Sequence, residues 1–104
     1  MPEINLIINH PEGLHARPAA ELVKTAQQFQ SEIVVGLGKW KANAKSILEI
    51  LTLGADLGAE VYVAAKGDDA EQAIEAIRKL IETNFGDELD KTAKTDQQKD
   101  VTAG

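Results

Sequence analysis

EINLIINHPEGLHARPAAELVKTA, residues 3–26, changes its period once, and that change sets the fold class. From Glu3 to Asn9, Ile4, Leu6 and Ile8 alternate with Asn5, Ile7 and Asn9, the period-two pattern of a half-buried strand. His10-Pro11-Glu12-Gly13 is a loop by its proline and glycine. Beyond it, Ala16, Ala19, Ala20, Val23 and Ala26 fall on one helical stripe, with Leu22 and Phe29 beside it. Such a thin face of small residues suits a helix lying close on a sheet.

The remaining segments continue the alternation. Glu32 to Val35 reads as a second strand, Gly36-Leu37-Gly38 as a hairpin turn, and Lys39 to Asn43 as a third strand. That third strand carries Trp40, expected to pack on the sheet or shield the hairpin. Ser46 to Leu53 is about two turns of helix, closed by Gly54 as a left-handed cap. Glu60 to Ala65 is the fourth strand. A longer helix opens at Gly67-Asp68, buries Ala70, Ala73, Ile74, Ile77, Leu80 and Ile81, and ends at Phe85-Gly86. Asp68 and Glu71 have the spacing of a capping box, a better use for the Asp68-Asp69 pair than metal binding. The order βαββαβα predicts an α+β fold with helices on one face of the sheet, and pattern alone suggests a ferredoxin-like split βαβ arrangement with an added helix.

Composition narrows the function. The chain has 104 residues, no cysteine, 4 % aromatic residues and a net charge of −6. It is one domain with an aliphatic core, without disulfides, thiolate metal sites or thiol nucleophiles. No signal peptide or spanning segment is legible, so the protein is expected in the cytoplasm. Its acidity argues against nucleic acid as a partner, since a phosphate-backbone binder needs a basic face. Residues 1–86 form the expected domain. Asp87 to Gly104, with five acids, three lysines and only isolated apolar residues, reads as a mobile polar tail.

The chemistry concentrates in Gly13-Leu14-His15-Ala16-Arg17-Pro18-Ala19. A loop ending in glycine delivers a histidine to the start of a helix. Pro18 is tolerated there because first-turn amides have no intrahelical acceptor. The remaining amides and the positive end of the helix dipole make an anion site beside the imidazole, and Arg17 adds a fork of donors matched to phosphate. A neutral imidazole in that place is a nucleophile able to take a phosphoryl group and surrender it, without metal or cofactor. The alternative use of His15 is simply to cap the helix.

The segment Gly13–Ala19, the stretch Ala42-Asn43-Ala44-Lys45-Ser46-Ile47, and Leu53-Gly54 followed by Gly58-Ala59-Glu60 resemble the histidine-containing phosphocarrier family, HPr, of the bacterial phosphoenolpyruvate:sugar phosphotransferase system. The likeness runs from about Ile4 to Gly86. It implies an open-faced β-sandwich, a four-stranded antiparallel sheet with three helices on one face, in place of the ferredoxin-like strand order. It also implies a monomeric carrier rather than an enzyme. His15 would take phosphate on Nδ1 from phosphorylated enzyme I and pass it to sugar-specific IIA domains, with Arg17 stabilising the phosphate.

The same resemblance makes Ser46 a regulatory phosphorylation site, with an HPr kinase/phosphorylase and a transcriptional regulator as partners. The residues themselves read Ser46-Ile47-Leu48-Glu49 as a capping box worth about 1 kcal/mol, and Glu49 would repel a phosphoserine. The family's short helix presents an apolar docking patch, which assigns partner docking to Ile47, Leu48 and Leu51. His10, before Pro11 in a loop, is expected to be solvent-exposed. The competing functions are a regulatory binding module, including nitrogen-branch signalling, a domain cut from a longer polypeptide, and a generic anion-binding domain.

Overall fold

The segment with the most continuous apolar run belongs in the middle of a sheet, and the most polar one at its edge. The structure, a computed structural model, describes residues 2–86 and obeys that rule. In chain order the elements are β1 (Glu3–Ile7), α1 (Ala16–Ala26), β2 (Glu32–Leu37), β3 (Trp40–Asn43), α2 (Ile47–Leu53), β4 (Glu60–Lys66), α3 (Ala70–Glu82) and a closing 3-10 turn, Asn84–Gly86. The tail expected over 87–104 lies outside the described residues.

The four strands lie in the order β1-β4-β2-β3, and each neighbouring pair is antiparallel. Val61, Val63, Ala64 and Ala65 are all buried, as a central strand requires, whereas β3 buries Ala42 alone of its four residues and sits at the edge. The last strand therefore inserts between β1 and β2. This replaces the ferredoxin-like strand order suggested by pattern alone: helix–strand alternation is legible in the chain, but which strand occupies the centre depends on pairing along both edges with strands distant in sequence. The helices pack on one side, giving the open-faced sandwich. Ile33 and Val35 of β2 and Val61 and Val63 of β4 meet Leu22 of α1, Ile50 of α2, and Ile77 and Ile81 of α3 in one aliphatic core. Each such side chain contributes about 1.5–3 kcal/mol by leaving water.

Three local expectations change. Gly36 and Leu37 are not turn residues; β2 runs through both, with Gly36 opposite Tyr62 and Leu37 opposite Trp40, so the turn is Gly38-Lys39. The Tyr62 ring lies over Gly36: a Cβ there would stand 2.0 Å from Tyr62 Cε2, so any larger residue would displace the ring. Trp40 does not pack down on the sheet. It is 65 % exposed on the edge strand, lines a groove with Leu48, Thr52 and Leu53, and has the Lys39 ammonium 5.7 Å from its ring centroid.

The expected capping box of Asp68 and Glu71 is also replaced. Asp69 occupies the cap position of α3 without a side-chain cap bond. Its carboxylate instead accepts from the backbone amides of Gln30 (2.9 Å) and Ser31 (3.0 Å) and from the Ser31 hydroxyl, tying the α1–β2 loop to the start of α3. These bonds, that from the Ser31 hydroxyl foremost, hold the Asp69 carboxyl below its ordinary range.

Candidate functional site

Two loops build the site. After β1, the chain turns at His10–Gly13, where the Gly13 amide donates to the His10 carbonyl (2.9 Å). Leu14 is fully buried and its amide donates to the Ala55 carbonyl (2.8 Å), in the loop that follows α2. Gly13 has φ +64° and packs so closely on that loop that a Cβ would lie 2.5 Å from the Ala55 oxygen and 2.8 Å from Asp56 Cα. The second loop is itself anchored: Gly58 donates to Ile8 (2.7 Å), Ile8 to Ala59 (2.9 Å), and Ala59 to Asp56 (2.9 Å). With Leu14 sunk in the core, the next residue must emerge.

That residue is His15, the N-cap of α1, with extended backbone (φ −107°, ψ 172°) and a carbonyl that accepts the first helical bond, from Ala19 (3.0 Å). Its side chain makes no capping bond, so the purely structural use of the histidine is not the one adopted. The imidazole is 55 % exposed, and its Nε2 lies 3.3 Å from Asp56 Oδ1, on a carboxylate that is itself 79 % exposed. Arg17 is exposed on the first turn, and Pro18 is buried beneath it. No carboxylate stands in the first turn of α1 to compete for an anion at its positive end.

Asp56 is the member of this site that sequence reading missed. Gly54 and Gly58 mark its loop, but nothing in the chain indicates that a residue 41 positions on from His15 faces the same ring. His10 is a correction of the opposite kind. It is buried, 4 % exposed, rather than solvent-facing; its Nδ1 accepts from the Glu12 amide (3.1 Å) and its ring meets Phe85 edge-on at 5.8 Å. The aromatic partner comes from the far end of the domain, which is why a local reading of a His-Pro loop fails. Thus the two histidines are separated by burial: one is closed into the fold and one is offered to the surface.

At α2, Ser46 is the N-cap and its Oγ accepts from the Glu49 amide (3.3 Å). Only this half of the capping box forms, because the Glu49 carboxylate reaches past Ser46 to the Asn43 amide (2.8 Å). Lys45, a cation that would offset a phosphate on Ser46, has its ammonium on the Phe29 carbonyl (2.6 Å). Gly54 closes the helix at φ +74°, as expected. Of the apolar residues of α2, Ile50 is buried, while Ile47 (40 %), Leu48 (72 %) and Leu51 (38 %) remain exposed. Among the described residues no helix is long and apolar enough to cross a membrane, and no cluster of side chains is arranged to hold a metal ion.

Fold and site together define a class: an antiparallel open-faced sandwich that offers an exposed imidazole at the start of one helix and exposed apolar side chains on another. Residues 2–83 match the family described as PTS HPr component phosphorylation site. The chain is 39 % identical over 81 residues to phosphocarrier protein HPr of Mycoplasma capricolum, covering 78 % of this chain and 91 % of that one. It is 41 % identical over 85 residues to the multiphosphoryl transfer protein of Salmonella typhimurium, of which it spans 22 %. The crystal structure of HPr-C-His from Thermoanaerobacter tengcongensis superposes with a TM-score of 0.83 at 49 % identity, covering 86 % of this chain and all of that one. The chain belongs to the HPr family of phosphocarrier proteins of the phosphotransferase system.

Proposed function

We propose that His15 carries the phosphoryl group on Nδ1, receiving it from phosphorylated enzyme I and yielding it to sugar-specific IIA domains. The observation that carries this reading is the exposed His15 ring on the N-cap of an eleven-residue helix, its side chain unused as a cap. A phosphate on that ring lies at the positive end of α1, where backbone amides and the Arg17 guanidinium supply donors. Ile47, Leu48 and Leu51 supply the apolar surface on which both partners dock, so that donor and acceptor enzymes bind in turn rather than together. Ser46 acts as a helix cap. A dianion there would face the Glu49 carboxylate across the same helix start, and geometry therefore favours the cap over a regulatory switch read by a kinase and a transcriptional regulator.

Incubation with enzyme I, phosphoenolpyruvate and magnesium adds one acid-labile, base-stable phosphate, read by intact mass. His15→Ala abolishes the addition, and Arg17→Ala alters the rate of transfer or hydrolysis while the circular dichroism spectrum stays that of the wild type. No mass gain in the wild-type protein, with enzyme I shown to be active on another carrier, would overturn the reading.

A further inference from the structure

We infer that Asp56 is a positioning residue that commits His15 to react through Nδ1, by holding the proton on Nε2. The inference rests on the phosphocarrier reading of His15 and adds to it a residue that sets which nitrogen reacts.

A carboxylate only accepts hydrogen bonds, so the 3.3 Å contact between His15 Nε2 and Asp56 Oδ1 requires the proton to sit on Nε2. The other nitrogen, Nδ1, is then left with its lone pair. The same contact covers Nε2, the nitrogen that would otherwise be the more accessible one at the tip of the ring. A hydrogen bond from Nε2 to an anion also pushes electron density toward Nδ1, the way a buried aspartate orients and polarises a catalytic imidazole.

The contact is between two exposed side chains, and an exposed pair by itself is weak. What distinguishes it is that both backbones are fixed beneath it. Leu14 and Ala55 share a hydrogen bond, Gly13 packs directly on Asp56 Cα, and Asp56 holds Ala59 through its own carbonyl. Neither residue has to be ordered from a mobile loop to make the contact, which removes much of the entropic cost that usually cancels surface pairs.

During transfer the Nδ1 lone pair forms the new N–P bond. The donor's bond to phosphorus breaks, and its electron pair leaves with the donor. Nε2 keeps its proton throughout, and the positive charge developing on the ring is balanced by Asp56. When the phosphate departs to an acceptor, the N–P electrons return to Nδ1 and the original tautomer is restored.

The test uses Asp56→Ala and Asp56→Asn in the intact protein, with no partner enzyme. Two-bond 1H–15N spectra of the unphosphorylated imidazole report the ratio of Nε2–H to Nδ1–H tautomers. That ratio falls roughly two- to fivefold in Asp56→Ala, the size an exposed contact to a carboxylate supports, and less in Asp56→Asn, which keeps an acceptor of the same shape. Potassium phosphoramidate then serves as a small donor, with 31P and 15N spectra assigning the product nitrogen. Wild type gives Nδ1-phosphohistidine, and Asp56→Ala gives a mixture with the Nε2 isomer. An unchanged tautomer ratio together with an unchanged product isomer overturns the role of Asp56. Absence of any phosphohistidine in wild type strikes instead at the phosphocarrier reading, while the tautomer ratio still decides whether Asp56 orients the ring. Circular dichroism confirms that both variants fold.

Discussion

Gly13 and Gly38 form a matched pair that isolates what the close approach of the two site loops costs. Both are left-handed, with φ of +64° and +60°. A Cβ on Gly38 meets nothing within 4 Å, whereas on Gly13 it lies 2.5 Å from the Ala55 oxygen, 2.8 Å from Asp56 Cα and 3.2 Å from the Asp56 carbonyl carbon. Gly38→Ala therefore carries only the backbone penalty of an L-residue in that region, about 1–2 kcal/mol. Gly13→Ala adds an overpacking term of about 1–3 kcal/mol. Its neighbours are backbone atoms that cannot rotate aside, so the larger end of that range applies. Against a total stability of about 5–15 kcal/mol, the variant loses a substantial share. Urea titration followed by far-UV circular dichroism is the appropriate assay, since Trp40 is 65 % exposed and reports poorly on the core. The midpoint of Gly13→Ala falls well below that of Gly38→Ala at equal slope, and with an overpacking term of about 2–3 kcal/mol their melting temperatures differ by at least about 8 °C, at roughly 4–8 °C per kcal/mol for a domain of this size. Exchange of the Leu14 amide also accelerates in Gly13→Ala alone. Equal midpoints for the two variants would refute the packing of the His15 loop on Asp56.

Four further outcomes follow from the fold. Because the Asp69 carboxyl titrates below its ordinary value of 3.8 in the folded state, its contribution is full above that pH and is lost as pH falls through the lowered folded value. Asp69→Ala accordingly loses stability at neutral pH and shows a shallower acid limb, and an acid-unfolding curve parallel to wild type would exclude the Ser31 clamp. Ser46→Ala costs about 1 kcal/mol and Ser46→Gly only a few tenths, measured by urea titration; equal costs would remove the cap. Ile77→Ala, which empties a fully buried site in α3, costs about 2–5 kcal/mol. Leu48→Ala, 72 % exposed, stays within about 0.5 kcal/mol of wild type but slows phosphoryl transfer with enzyme I. Transfer at the wild-type rate would take Leu48 out of the docking face.

Much of this protein is written locally. The alternation of Ile4, Leu6 and Ile8, the stripe from Ala19 to Ala26, and the run from Ala70 to Ile81 each name an element, because strand and helix periods depend only on near neighbours. The cluster from Gly13 to Ala19 marks His15, the proposed nucleophile, for the same reason: loop, cap position, proline and arginine are all set within seven residues. Ser46 as a cap and Gly54 as a left-handed terminus are equally local.

Tertiary structure decided what required distant residues to meet. The central place of β4 follows from pairing along both its edges, with β1 and with β2, which no strand reveals alone. Gly36 looks like a turn until Tyr62 is laid over it, and Asp68 looks like the cap of α3 until Asp69 takes that position and turns its carboxylate to Ser31 and Gln30 of another loop. Phe85 covers His10, which the His-Pro loop reads as exposed, while Asp56 meets His15, which the fold does expose. Hydrogen bonds and van der Waals contacts act over a few ångströms, so a residue's partners are fixed by where the backbone carries them and not by their separation along the chain.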